Sequence, residues 1–220
     1  DMAKAESARY YFASVTGVDR AFGMILDALK EAGLDENTVV VFSSDHGETM
    51  CSQNTDDPKN SPYTESMNVP FIIRYGSRLK PHVDNLLLSS PDIMPTMLGM
   101  AGLHDKIPAE IQGVDYSPLF YQPGSESVKR PDAALYIQNM DGNKDAQGNV
   151  VDYFPSARGI KTHQYTMAVY IDRNNNRDHV LLFDDKADPY QLNNIADTKE
   201  GKAAIKKLYK RMGELLTEID

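Results

Sequence analysis

Asp45 and His46 are the adjacent pair in this sequence whose chemistry stands out first. A carboxylate beside an imidazole can bind a metal ion, and Gly47 follows them, a residue that lets the backbone turn sharply. The pair comes directly after an apolar run at residues 38–42 and the two serines Ser43 and Ser44. Such a run reads as a buried strand ending in a polar loop. In α/β sheets ligands collect at the carboxyl ends of strands, which is where this pair stands. The same spacing also fits a second reading, in which Asp45 caps the next turn and His46 is hydrogen-bonded beside it.

Several elements must position that tip. Tyr11, Val15, Val18, Phe22, Ile25, Leu26 and Leu29 recur at helical spacing and predict one long helix over residues 5–32, closed by Gly33 as its C′ residue. A helix followed by a continuous apolar strand is half of an α/β unit. The strand that should precede the helix is missing, so we expect the sequence to be a piece of a longer protein, and its lack of a targeting segment then says nothing of the parent. Residues 49–66 read as a polar loop, with Pro58 and Pro62 excluding regular structure from its middle. A second apolar strand follows at residues 69–75. Ser89, Ser90, Pro91 and Asp92 then form a helix entry, and Gly102 ends that helix.

Residues 103–132 are rich in proline and glycine, and we place a boundary near residue 125. Beyond it, four strand candidates at residues 133–138, 157–161, 165–171 and 180–184 predict an antiparallel sheet, and residues 199–218 a closing helix. The expected organisation is an α/β part over residues 1–125 and a small α+β subdomain over residues 126–220.

Composition narrows the function classes. The 220 residues carry a net charge of −9 with no basic cluster, which argues against nucleic-acid binding. No segment approaches the run of about eighteen apolar residues that a membrane span needs. Cys51 is the sole cysteine, so no internal disulfide is possible.

The order of these features resembles the second half of the catalytic domain of type I sulfatases, of the alkaline-phosphatase-like superfamily. The resemblance rests on the long helix and the segment at residues 37–48, on the stretch at residues 59–74, and on the helix containing Ser90, Pro91 and Asp92. It rests also on Leu182, Phe183 and Asp184 and on the turn at residues 188–194, which is similar to the family's "asp-pro-x-glu-x-x-asn-leu". The resemblance implies the C-terminal portion of an alkaline-phosphatase-like α/β sandwich, followed by the four-stranded subdomain and its helix. It implies a divalent cation, usually calcium, with Asp45 and His46 at the family's later ligand pair, although imidazole is a less usual donor to calcium than to transition metals. Lys59 occupies the place of the family's sulfate-contacting lysine; its alternative is a solvated loop lysine. Arg158 and His163 lie in a region that can help form the substrate pocket, where they could contact an anionic sugar or remain solvated.

The family's nucleophile, a formylglycine made in a "Cys/Ser-x-Pro-x-Arg" segment, has no counterpart here, because Ser52, Gln53, Asn54 and Thr55 follow Cys51. No catalytic nucleophile is therefore expected within these residues. The implied partners are a sulfated small molecule or glycan and the N-terminal half of the same protein, in a periplasmic or secreted parent. Two other readings stay open: a metal-dependent phosphoesterase or phosphotransferase of the same architecture, and a non-catalytic remnant. Arg74 is expected to pair with a carboxylate, Cys51 to be a small loop residue, and residues 139–148 and 172–178 to be exposed loop and hairpin turn.

Overall fold

The structure is a computed structural model that describes residues 8–54, 59–139, 143–152, 156–172, 174 and 176–219. Residues 5–7 of the expected first helix and Pro58 of the polar loop lie outside the described residues, as do parts of the two expected loops, residues 140–142, 173 and 175. The chain divides into two compact units, one of Asp1–Lys59 and Glu65–Arg130, the other of Asn60–Thr64 and Pro131–Asp220.

In the first unit, helix α1 (Ala8–Glu31) leads to strand β1 (Val40–Ser43). Its end is set by Gly33 at φ +68, with Leu34 N–H donating to the Leu29 carbonyl at 3.1 Å. Strand β1 pairs antiparallel with β2 (Phe71–Arg74), Phe42 opposite Ile72 and Ser43 opposite Phe71. A short helix, α2 (Thr64–Met67), precedes β2, and α3 (Ser90–Met100) follows it. Phe71 and Ile73 pack with Tyr75, Met97 and Met100 in one cluster that also takes Phe120 of α4 (Ser117–Tyr121). On the other face, Phe42 meets Phe22 of α1, ring centroids 5.0 Å apart.

Two expectations change here. Strand β1 is not deeply buried: its residues are half-buried or exposed, and Ile72 beside Phe42 is 62% exposed. The stripe on α1 is covered only toward its C-terminal end, where Phe22, Leu26 and Leu29 are half-buried; Val15, Val18 and Ile25 are 51%, 55% and 62% exposed. The periodicity correctly marks an apolar face, but burial needs an opposing layer, and the described residues supply that layer along only part of the helix.

The entry to α3 forms as its residue types dictate. Ser89 donates from both its backbone N–H (2.9 Å) and its hydroxyl (2.8 Å) to one oxygen of Asp92. The other Asp92 oxygen accepts the Val114 N–H at 2.9 Å, which ties the loop-rich segment back onto the helix. Arg130 grips Asp84 with two parallel hydrogen bonds of 2.7 Å each. Those bonds hold the Asp84 carboxyl below its ordinary value near 3.8; partial burial opposes them and the Leu86 N–H reinforces them. A carboxyl depressed in the folded state stabilises above its unfolded value, and that stabilisation is lost as pH falls through the depressed one. Acid unfolding followed between about pH 5 and about pH 2 should therefore be steeper for the native chain than for Asp84→Asn. Equal slopes would deny the pair its role.

The second unit holds the sheet β3 (Ala133–Gln138), β6 (Ser156–Thr162), β7 (Tyr165–Ile171) and β8 (Arg177–Asp184), antiparallel throughout and in that order. Helix α5 (Lys199–Ile219) covers one face, where Ile160, Met167, Val169, Val180 and Leu182 pack with Leu208 and Met212. Alternate residues Ala157, Ala168 and Tyr170 form a cluster on the opposite face with Tyr136 and Leu181. Leu182 is fully buried, so Leu182→Ala should lower unfolding free energy by about 2–5 kcal/mol in denaturant titration; a loss within about 0.5 kcal/mol would mean this core is not packed as described.

The expected loop at residues 139–148 is partly a two-stranded ladder, β4 (Asn143–Lys144) with β5 (Val150–Asp152), whose turn Asp145 organises by accepting the Gln147 and Asn149 N–H groups. Strands of two and three residues are too short to display an alternation in the sequence. At the β7–β8 connection Asp172 accepts the N–H groups of Asn174 and Asn176 at 2.8 Å each, a self-capped turn. Among the described residues no helix is long and apolar enough to cross a membrane.

Candidate functional site

Strand β1 delivers Asp45 and His46 just beyond its carboxyl end. Asp45 Oδ1 accepts the His46 backbone N–H at 3.0 Å. That hydrogen bond is the main cause holding the Asp45 carboxyl below its ordinary value. His46 Nδ1 lies 2.7 Å from the Gly47 carbonyl oxygen. A carbonyl can only accept, so Nδ1 carries the proton and, in the neutral ring, Nε2 carries the lone pair. Nε2 stands 3.5 Å from Asp45 Oδ2. The local hydrogen bonds of the capping reading are thus made, and the two atoms they leave over, one carboxylate oxygen and one imidazole nitrogen, face each other.

This donor set suits a divalent cation. A hard anionic oxygen and a nitrogen whose other ring position is already anchored by a carbonyl are how protein metal ligands are usually presented. No group of three or more His, Cys, Asp or Glu side chains that could hold a metal occurs among the described residues.

Gly47 has a different reason from the one its sequence position suggests. Its φ is not in the left-handed region; its need is space, because a Cβ there would fall 1.9 Å from the Glu65 carbonyl oxygen. That close approach lets Gly47 N–H donate to the Ser66 carbonyl at 2.7 Å. Ser66, 1% exposed, donates in turn through its hydroxyl to the carbonyl of Lys59. The Asp45–His46 tip and the Lys59 backbone are therefore joined through a single buried serine. The Lys59 side chain is exposed. Ser66 and the crowding at Gly47 were invisible in the sequence, since their partners lie well apart along the chain.

After the tip the chain runs through Thr49 and Met50, both buried, into a strained stretch. Met50, Cys51, Gln53 and Asn54 all have left-handed φ, at 50°, 63°, 59° and 54°. Non-glycine residues in that region cost of order 1 kcal/mol or more each and persist where surroundings enforce them. Cys51 is exposed and its thiol unbridged. Arg74 is exposed, and no ion pair to it occurs among the described residues, so its expected carboxylate partner is not found.

In the second unit, Arg158 is half-buried and donates to the carbonyls of Gln138 and Ala157 at 3.2 and 2.9 Å, so the strands themselves engage its guanidinium. His163 is exposed at the β6–β7 turn, at the other end of β6. The structure does not bring these two residues together.

Comparison with known proteins gives this geometry its context. Residues 1–103 match the family Sulfatase, and residues 57–218 match N-sulphoglucosamine sulphohydrolase, C-terminal. The fold is the C-terminal portion of the alkaline-phosphatase-like sulfatase structures. The chain belongs to the sulfatase family. It is 63% identical over 221 aligned residues to an endo-4-O-sulfatase of Bacteroides thetaiotaomicron, covering all of this chain and 43% of that protein. A solved structure concerned with the metabolism of multiple glycosaminoglycans by Bacteroides thetaiotaomicron superposes with a TM-score of 0.91 at 63% identity, over 99% of this chain and 44% of the other. A second, solved in complex with its substrate D-glucosamine-2-N,6-O-disulfate, gives 0.82 at 28% identity over 96% and 40%. The chain thus spans less than half the length of the relatives it matches.

Proposed function

We propose that these residues are part of an enzyme that hydrolyses sulfate esters of a glycan, with a divalent cation, calcium in the first instance, held in part by Asp45 and His46. The observation that carries this reading is the junction at Ser66, which ties the Asp45–His46 tip to the backbone of Lys59 in a chain of the sulfatase family. A structural relative solved with a sulfated glucosamine as its substrate, and one whose structure concerns glycosaminoglycan metabolism, support the substrate class.

The cation, when bound, would screen the charge of the sulfate and favour an ionised oxygen nucleophile. The chain's own residues bind and orient. Asp45 supplies an anionic oxygen, its carboxylate oriented by the His46 N–H. His46 presents Nε2, its ring fixed by the Gly47 carbonyl. Lys59 places an ammonium against a sulfate oxygen and against the negative charge that grows toward the leaving oxygen. Arg158 and His163 remain candidates for sugar contact, Arg158 the weaker because the strand carbonyls engage it.

No residue here matches the formylglycine segment, so residues 1–220 alone should release no sulfate. The part of the relatives' length that this chain does not span would cover Val15, Val18 and Ile25 on α1 and the outward Ile72. We keep the division at residues 1–125 and 126–220 as our domain reading.

The test is the full-length protein offered 4-O-sulfated glycosaminoglycan oligosaccharides, an aryl sulfate, and aryl phosphate and phosphonate esters. Sulfate release that chelation abolishes and calcium restores is expected. Preferential cleavage of the phosphorus esters would assign it to the phosphoesterase class instead.

A further inference from the structure

The segment that follows Lys59 is held by a device that the roles above leave unused. Asn60–Thr64 belongs to the second unit, where Ser61 and Pro62 are buried and the Tyr63 ring packs 5.8 Å from Phe183. The Thr64 N–H donates at 2.8 Å to Oε1 of Gln191, a residue 127 positions further along the chain. Gln191 Nε2 donates at 2.7 Å to Asp185 Oδ1. The other oxygen of Asp185 accepts from Lys161 Nζ and from the Thr166 hydroxyl, both at 2.8 Å. Gln191 is 1% exposed and sits at φ +53, a conformation that an L side chain rarely adopts without enforcement.

A buried amide of this kind is informative because it uses both its ends. The oxygen answers a backbone donor at the first residue of α2, and the nitrogen answers a carboxylate already anchored to β6 and β7. The chain from Lys161 through Asp185 to Gln191 is a fixed support, and its free end grips a backbone atom five residues after Lys59. The turn at residues 188–194 resembles one that carries glutamate at this position. Glutamate keeps the acceptor for Thr64 and loses the donor toward Asp185.

We propose that Gln191 is a positioning residue that fixes the Lys59 loop for sulfate contact through the Thr64 N–H. It touches no substrate. The proposal rests on the reading of Lys59 given above and adds to it a support for the segment that follows it. A segment whose Thr64 N–H is already held by Gln191 loses little order when a substrate arrives, so less positioning is left to the moment of reaction.

The test is made in the full-length protein with an aryl sulfate, together with amide hydrogen exchange. Gln191→Ala should lower kcat/KM about five- to tenfold, the worth of one neutral hydrogen bond, and speed exchange at the Thr64 amide by a similar factor. Exchange in α5 should not change. In a Lys59→Ala background Gln191→Ala should cost nothing further. If Gln191→Ala does not fold, Gln191→Met fills the space with neither hydrogen bond and carries the same comparison. A Lys59→Ala enzyme of native activity would overturn the reading of Lys59 and this proposal with it. A costly Lys59→Ala to which the Gln191 loss simply adds would overturn the positioning role alone, as would native activity in Gln191→Ala.

Discussion

Replacing Asp45 by alanine in the full-length protein should abolish sulfate-ester turnover and, with it, retention of the divalent cation. The side chain is 84% exposed, and its hydrogen bonds are to its own neighbours, Ser44 and His46. Its loss should therefore leave folding intact, with an unchanged circular dichroism spectrum and, when both proteins are compared metal-free, an unchanged melting temperature. The substitution removes an anionic oxygen, the hard ligand of the pair. The nitrogen of His46 remains, but imidazole is a poor donor for calcium. Metal content after dialysis and the rate with an aryl sulfate are measured on one preparation. Native metal content and native rate in Asp45→Ala would remove the assignment of this tip as a ligand pair.

Lys59→Ala should act differently. It should leave metal content unchanged and cost about 2–4 kcal/mol of transition-state stabilisation, the usual price of one electrostatic donor at a developing charge. That is a fall in kcat/KM of roughly thirtyfold to a thousandfold. The backbone of Lys59, held by Ser66, does not depend on its side chain, so the loop should persist in the variant. Lys59→Arg keeps the charge with another geometry and should recover part of the loss. A decrease in metal content in Lys59→Ala, or a loss below about threefold, would mean that the ammonium does not meet the sulfate.

The two variants separate the two halves of the candidate site, which the sequence conveyed to unequal depth. Asp45 and His46 could be read because strand-end position and residue type coincide within a few neighbours. The helix entry at Ser89 and Asp92 was legible for the same reason, since a capping box is complete within four residues. The sheet of the second unit declares itself through short apolar runs between turn residues, whereas β4 and β5, of two and three residues, are too short for such a pattern. Gly47 was noticed for its flexibility, yet its reason is the Glu65 carbonyl that a Cβ would strike. Ser66 and Gln191 could not be ranked at all, because each matters through a contact with a residue that chain order does not place beside it. The apolar stripe of α1 is the opposite case. The pattern is there in full, but Val15, Val18 and Ile25 are exposed, with no opposing layer among the described residues.

The account stands on the claim that the Asp45–His46 tip and Lys59 serve one bound sulfate ester. Its most direct test is a crystal structure of the full-length protein with calcium and a slowly turned-over sulfated glycan. It should show the cation about 2.3–2.6 Å from Asp45 Oδ2 and a sulfate oxygen within hydrogen-bond reach of Lys59 Nζ. A cation bound away from Asp45 and His46, or a sulfate group that Lys59 does not touch, would contradict it.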